Sequence, residues 1–159
     1  MTTKKQEMQR IIHLYREETG EKEIDMHDVA LFAMKKGWPM PKPETPLERL
    51  AKQFSEAARE EVRRDAITGR PYRANLAISG GSQQGAFWVD IDEAPRKHAH
   101  KSFVQRREQM VGDGLQLSFD VDHWNSINPT EEPIVMPMDL TLDIEWRKNA
   151  PDDDAIEVA

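Results

Sequence analysis

The chain has 159 residues, enough for one domain, or for one small domain with an extension. Hydrophobic residues make up 38% and charged residues 32%, which is typical of a polar globular protein rather than a disordered one. No apolar run could span a bilayer, residues 1–7 lack a secretion signal, and cysteine is absent. We therefore expect a cytoplasmic protein that makes no membrane contact and has no disulfide, thiolate nucleophile, zinc finger or cofactor.

Charge is distributed unevenly along the chain, whose formal net charge is −7. Residues 1–110 contain 20 lysines and arginines against 17 acidic residues, whereas residues 111–159 contain 2 against 12. Two basic clusters, within 59–73 and 96–107, would attract a phosphate backbone, although a solvated face explains them as well. The acidic C-terminal part would repel nucleic acid, and it suits a basic partner or a solubilising role instead.

Apolar residues at helical spacing predict two helices near the start of the chain. The first covers about residues 4–19, and Gly20 ends it. Asp25 is the predicted N-cap of the second helix, and Gly37 ends that helix. Alternating prolines then exclude a helix over 38–43, where we predict a stiff, extended connection.

The third helix has the clearest local signal. Thr45 is its predicted N-cap, Pro46 takes the first helical position, and Glu48 completes a capping box. An apolar stripe that starts at Leu47 predicts that this helix continues to about Arg64.

A β-hairpin is predicted after this helix. Residues 68–71 form a turn, residues 72–79 and 86–92 alternate as strands, and the glycine-rich segment 80–85 joins the two strands. The pattern over 111–124 fits both a helix and a strand. We favour one long helix over 100–125, because the sequence shows no turn that would bring a third strand back to the hairpin. A loop, a short helix over 140–148 capped by Asp139, and a frayed acidic tail complete the chain.

The order of elements over residues 4–92 resembles the winged helix-turn-helix superfamily, and within it the HARE-HTH group. The resemblance rests on the second helix, Ile24-Asp25-Met26-His27-Asp28-Val29-Ala30, and on the capped third helix that leads into Gly69-Arg70-Pro71-Tyr72-Arg73. It implies an α+β fold: a winged-helix domain at 1–94, a helical extension at 95–150 and a disordered acidic tail at 151–159. The proline-rich connection is longer than the usual turn of the family.

The resemblance implies a non-catalytic DNA-binding or regulatory module that contacts the nucleic-acid backbone with helix three and the wing. The nucleic-acid-binding residues expected on this basis are Arg49, Lys52, Arg59, Arg63, Arg70, Arg73, Gln83 and Gln84. A second basic patch consists of Arg96, Lys97, Lys101, Arg106 and Arg107. Glutamates at one-turn spacing on helix three could pair with its arginines instead.

Two alternatives to DNA binding follow from the same residues. Many winged helices bind proteins, so the chain could be an interaction adaptor that pairs with a partner or with its own copy through residues 100–150. More remotely, three groups of acids and histidines, at 90–93, 98–100 and 120–123, could hold a divalent metal for phosphodiester hydrolysis. We expect neither catalytic residues nor a metal site, because aspartates on the wet face of a strand explain the first group.

Overall fold

The computed structural model describes residues 1–79 and 86–151 and is a mixed α and β structure. Over these residues it contains five helices and two antiparallel two-stranded sheets, in which β1 pairs with β2 and β3 with β4. Among the helices described, none has the length and apolar character needed to cross a bilayer. The elements are α1 (Lys4–Thr19), α2 (Met26–Lys35), α3 (Pro46–Glu60), β1 (Val62–Arg64), β2 (Pro71–Arg73), β3 (Asn75–Ser79), β4 (Ala86–Asp90), α4 (Arg96–Ile127) and α5 (Thr141–Lys148).

The chain divides into two compact units, Met1–Arg49 and Leu50–Ala159, with the boundary inside α3. In the first unit α1 packs on α2, where the Tyr15 and Phe32 rings meet edge to face with centroids 5.4 Å apart. Tyr15 and Val29 are buried there. This aromatic contact between two short amphipathic helices forms the small apolar core of the first unit.

The predicted helix ends in the first unit are confirmed. Gly20 follows α1 with φ +70°, a left-handed conformation that glycine adopts without steric cost, and the Asp25 carboxylate accepts from the His27 backbone N–H at 2.7 Å. At α3, Thr45 Oγ1 accepts from the Glu48 N–H at 3.1 Å, and Glu48 accepts from the Thr45 N–H at 3.0 Å. The capping box thus satisfies two backbone donors reciprocally.

The third helix is shorter than predicted, because it ends at Glu60 and the next residues form β1. A tight turn competes with helical continuation: Asp65 Oδ1 accepts from the backbone N–H groups of Ile67 and Thr68 at 2.8 and 2.9 Å, and Gly69 has φ +70°. That turn lets Val62–Arg64 pair with Pro71–Arg73. No residue of the apolar stripe of α3 is buried within the described part of the chain, and Phe54, for example, is 69% exposed.

The strand predicted over 72–79 is divided at Ala74, which is fully buried. The Ala74 N–H donates to the Glu61 carbonyl at 3.0 Å, and its own carbonyl accepts from the Ile91 N–H at 2.8 Å. This junction separates β2, which belongs to the first sheet, from β3, which belongs to the second. The predicted hairpin is confirmed as β3–β4, with Ala77 opposite Trp88, while its connection lies outside the described residues.

The core of the second unit lies where β3 meets α4. Leu76 and Ile78 are 2% and 1% exposed, and they alternate with more accessible residues along the strand. Ser102 of α4 is 1% exposed, and its Oγ donates to the Ala77 carbonyl at 3.2 Å. One buried hydrogen bond therefore fastens the helix to the strand between two buried aliphatic side chains.

The prediction of a long helix over 100–125 is confirmed, and α4 begins earlier, directly after Pro95. The segment after α4 returns along this helix. The side-chain amide of Asn125 forms two hydrogen bonds with the backbone of Ile134: it accepts from the N–H at 2.9 Å and donates to the carbonyl at 2.8 Å. Met138 lies so close to Gly114 that a Cβ there would meet its Cε at 3.0 Å. The short final helix is confirmed as α5, where Asp139 accepts from the Thr141 N–H at 3.1 Å.

Candidate nucleic-acid interface

A cleft of about 380 Å³ lies in the second unit, where α3, the β strands and α4 meet. Three arginines line it, each from a different element: Arg59 from the last turn of α3, Arg73 from β2 and Arg106 from α4. No acidic residue lines it within the ranges 1–79 and 86–151. The other lining residues are Asn75, Leu76, Ala77, Ser79, Trp88, Ser102, Gln105 and Gln109. We call this set of residues the basic cleft.

An arginine and an aromatic ring stand together at the wall of the basic cleft. The Arg59 guanidinium carbon lies 5.5 Å from the centroid of the Trp88 ring, within the range of a cation–π contact. Trp88 is half-buried in β4, and Ala77 lies directly opposite it on β3. Because a small residue stands opposite the indole, the ring retains accessible surface beside the cation.

The charge of the basic cleft is uncompensated among the residues that the structure describes. Arg59, Arg73 and Arg106 are all exposed, and over residues 1–79 and 86–151 none of them forms a salt bridge. The amides of Gln105 and Gln109 add hydrogen-bonding groups on the α4 side. The cleft can therefore accept an anionic group together with a planar apolar one.

Arg63, a predicted phosphate ligand, is instead held by two carboxylates. Its guanidinium donates to both oxygens of Asp90 at 2.8 and 2.6 Å and to Asp92 at 2.8 Å. The Tyr72 hydroxyl donates to the same Asp92 carboxylate at 3.1 Å. We call Arg63, Asp90 and Asp92 the arginine clamp. It joins β1 to the end of β4, so Arg63 would have to leave two partners in order to bind a phosphate.

Two members of the arginine clamp, Arg63 and Asp90, have shifted pKa values. Hydrogen bonds from Arg63, and then from the Asp92 backbone, lower the pKa of Asp90 from 3.8 to about 2. Hydrogen bonds to Asp90 and Asp92 raise the pKa of Arg63, which stays fully protonated. Burial, followed by the hydrogen bond to Asp92, raises the pKa of Tyr72. Arg63 and Asp90 are therefore both charged at neutral pH, and their ion pair stabilises the second unit.

Among the described residues, the other predicted ligands from helix three and the wing do not line the basic cleft. Arg49 and Lys52 are exposed on α3, and the Arg70 guanidinium donates to the Asn149 side-chain oxygen at 3.3 Å. Gln83 and Gln84 lie outside the described residues. Within the second basic patch only Arg106 lines the cleft, while the others are exposed on α4: Arg96, Lys97, Lys101 and Arg107.

Sequence reasoning missed the uncharged part of the basic cleft. The sequence analysis assigned no binding role to Trp88, Asn75, Gln105 or Gln109. Strand alternation around Leu76 and Ile78 placed Asn75 on the accessible face, which was the one available hint. The approach of α4 to this face could not be read from local spacing, since it depends on contacts between residues 25 or more positions apart.

The acidic and histidine groups considered for metal binding do not assemble in the part of the chain that the structure describes. Asp90 and Asp92 are engaged in the arginine clamp, and no three potential ligands converge over residues 1–79 and 86–151. His98 packs edge to face on Phe87, with ring centroids 5.6 Å apart. Its Nδ1 is buried and has no hydrogen-bond partner among the residues that the structure describes.

The first unit has an apolar groove of about 500 Å³ between α1 and α2. Four methionines line it, together with Trp38 from the proline-rich connection: Met8, Met26, Met34 and Met40. Methionine side chains adapt to differently shaped apolar partners, so this groove has the chemistry of a protein-docking surface.

Comparison with known proteins gives no relative. No family model matches the chain, and neither a curated protein nor a solved structure shows significant similarity to it.

Proposed function

We propose that this chain is a non-catalytic nucleic-acid-binding module whose phosphate-binding site is the basic cleft. The observation that carries the proposal is the convergence of Arg59, Arg73 and Arg106 on one cleft that no carboxylate of the described residues lines, in a chain with 29 acidic and 22 basic residues. Guanidinium groups bind phosphate oxygens and displace the counterions around them. Trp88 supplies a ring on which a base can stack.

The winged helix-turn-helix arrangement remains part of this proposal. Its support is the order of elements, three helices followed by antiparallel strands, with the capping box at the start of α3. In the proposed binding mode the last turn of α3 contributes Arg59 to the site, and β2 and α4 contribute the other two cations. This differs from a mode in which the whole polar face of α3 enters a groove of DNA.

The test is fluorescence anisotropy with a labelled duplex and a single strand of the same sequence, each of about 30 nucleotides, at about 50 and about 200 mM salt. We expect binding at the lower salt that weakens steeply at the higher salt. Substitution of Arg73 and Arg106 by alanine should weaken binding and reduce the salt slope by about one unit per lost phosphate contact. These two arginines are chosen because neither stacks on Trp88.

The matched control is Arg96→Ala, which removes an equal charge from α4 at a position that does not line the cleft. It should change the affinity and the salt slope much less than Arg106→Ala does. Absence of binding at both salt concentrations, or equal effects of the two variants, would contradict the assignment of the basic cleft.

A second candidate function is protein binding through the methionine-lined groove of the first unit. Such a groove fits the apolar face of a partner helix. Met34→Glu would place a charge among apolar lining residues and should abolish capture of a partner in a pull-down, with far-UV circular dichroism as the check on folding. A partner recovered equally well by the variant would exclude the groove as the binding surface.

A further inference from the structure

The face of the second sheet that borders the basic cleft carries one large ring among short side chains. The exposed residues Ala77 and Ser79 alternate with buried residues along β3, so they lie on one face of this sheet together with the half-buried Asn75. Trp88 of β4 is paired with Ala77, so its ring lies on the same face. The indole therefore has short side chains beside it on β3 and offers a flat apolar surface to the cleft that it lines.

Side-chain amides line the same cleft. Gln105 and Gln109 lie one turn apart on α4. Asn75 is fixed at β3, because its amide nitrogen donates to the Ala58 carbonyl and to Glu61 Oε1, both at 3.0 Å. Amides carry both donors and acceptors, which match the Watson–Crick edge that a base exposes only when it is unpaired.

The size of the basic cleft also favours an unpaired base. Its volume of about 380 Å³ lies at the lower end of the range for small-ligand pockets, which is about 300–1,000 Å³. In a duplex each base is covered by its neighbours in the stack, and withdrawing it costs free energy. A base in a single strand can present its face to an aromatic ring at a much smaller cost.

The three arginines of the cleft divide into two roles. Arg59 lies over the indole of Trp88, and a guanidinium beside an aromatic ring is a surface on which bases stack. Arg73 and Arg106 are exposed and form no salt bridge in the part of the chain that the structure describes. Their N–H donors are therefore available to phosphate oxygens. The cleft as a whole matches a nucleobase that is joined to phosphate.

We propose that the basic cleft binds one unpaired nucleotide of a single strand, with the base stacked on Trp88 and the phosphates held by Arg73 and Arg106. This inference rests on the proposed function and narrows it from nucleic acids in general to single strands. A free nucleotide has the same chemistry as a nucleotide within a strand, and a competition experiment separates these two sources.

The first test is fluorescence anisotropy with a labelled single strand of about 15 nucleotides and with the duplex of the same sequence. We expect the single strand to bind about tenfold more tightly than the duplex, because only its bases are free to stack. An unlabelled nucleoside monophosphate should compete about a hundredfold less well than the unlabelled strand, because it lacks the neighbouring phosphates.

The outcomes of this test separate the inference from the proposed function. Equal affinity for the single strand and the duplex, with both weakened by Arg73→Ala, would overturn the inference and leave the proposed function standing. Absence of binding by either nucleic acid would overturn both. A nucleoside monophosphate that competes as well as the strand would overturn the assignment to a strand.

The second test examines the stacking surface. Trp88→Ala should weaken single-strand binding about tenfold and leave duplex binding nearly unchanged, whereas Trp88→Phe keeps a ring and should retain most of the affinity. Trp146→Ala is the matched control, because Trp146 is 82% exposed on α5 and does not line the cleft. This control should bind the single strand as the native chain does. Circular dichroism verifies that the variants keep their secondary structure.

Ala77→Leu tests the same surface while the indole and the three arginines stay in place. A larger side chain opposite Trp88 would occupy the space beside the ring, so this variant should also weaken single-strand binding. Single-strand affinity that is unchanged in Ala77→Leu, or that falls no further in Trp88→Ala than in Trp146→Ala, would contradict stacking on Trp88.

Discussion

The guanidinium of Arg63 joins carboxylates that lie 27 and 29 residues further along the chain. Its two-pronged contact with Asp90 is the geometry in which arginine and carboxylate bind most strongly, and it ties the first sheet of the second unit to the second sheet. Local spacing suggested that helical glutamates would pair with the arginines of this region. The closest partners are Asp90 at the end of β4 and Asp92 just after it, which no pattern of neighbouring residues could have identified, whereas the nearby Glu61 approaches only to 3.9 Å.

The low pKa of Asp90 makes stability depend on pH. This carboxyl has a pKa of about 2 in the folded chain against an ordinary value of 3.8, so the folded state binds its proton less readily. The contribution of the ionised Asp90 to the free energy of unfolding is complete above about pH 4 and is lost as the pH falls through about 2. We expect the melting temperature to fall more steeply over this range for the native chain than for Asp90→Asn, as followed by circular dichroism.

The control for this prediction is Asp113→Asn, which removes an exposed carboxylate on α4 that has no salt bridge among the described residues. It should leave the steepness of the acid transition unchanged. Equal steepness in the native chain and in Asp90→Asn would show that the arginine clamp does not control the acid response.

Among the elements, the helices were the most predictable. Caps and stop residues act within four positions, so Asp25, Thr45 and the glycine after α1 were sufficient to locate helix ends. The end of α3 was mispredicted because residues 61–64 also fit a helical stripe, and pairing with β2 decides against the helix. Hydrophobic periodicity reports only on residues close in sequence, so it does not reveal the pairing between strands.

Two glycines in α4 stand in different environments. A Cβ at Gly112 would meet nothing within 4 Å, whereas a Cβ at Gly114 would lie 3.0 Å from the Met138 Cε. Glycine inside a helix costs up to about 1 kcal/mol relative to alanine. We expect Gly112→Ala to raise the free energy of unfolding by about that amount, and Gly114→Ala to raise it less because Met138 must move.

Chemical denaturation at low protein concentration measures both glycine variants without a contribution from association. If both variants gained the same stability, a side chain at position 114 would not disturb the packing of segment 134–138 on α4. A loss of stability for Gly112→Ala would contradict the open environment of that position.

At the scale of the whole molecule, few apolar side chains are buried. Among the described residues the buried hydrophobic ones are Tyr15, Val29, Ala74, Leu76 and Ile78, while large apolar side chains remain exposed on α3, α4 and α5. Isolated exposed apolar residues are ordinary, but stripes of them on successive helices are typical of interaction surfaces.

The order of the predicted elements and its resemblance to winged helices predicted the mixed α and β class, and the charge pattern predicted the basic character of the candidate site. Residues from both predicted basic clusters, Arg59 and Arg73 from one and Arg106 from the other, do meet in one cleft. Which arginines meet could not be predicted, because the approach of α4 to β3 depends on the buried contact between Ser102 and Ala77. That contact has no counterpart in hydrophobic periodicity, since Ser102 is a polar residue in a polar stretch of sequence.

The arginine clamp also has a consequence for the order of folding events. It closes a loop of 27 residues, which contains the turn at 65–69 and the strands β2, β3 and β4. Closing such a loop costs conformational entropy before the ion pair forms. Arg63 and Asp90 therefore meet only after the shorter-range strand pairings have formed. An interaction that forms after the transition state acts on the unfolding rate. Loss of the Asp90 carboxylate should therefore shorten the lifetime of the folded state while the chain still folds at nearly its native speed.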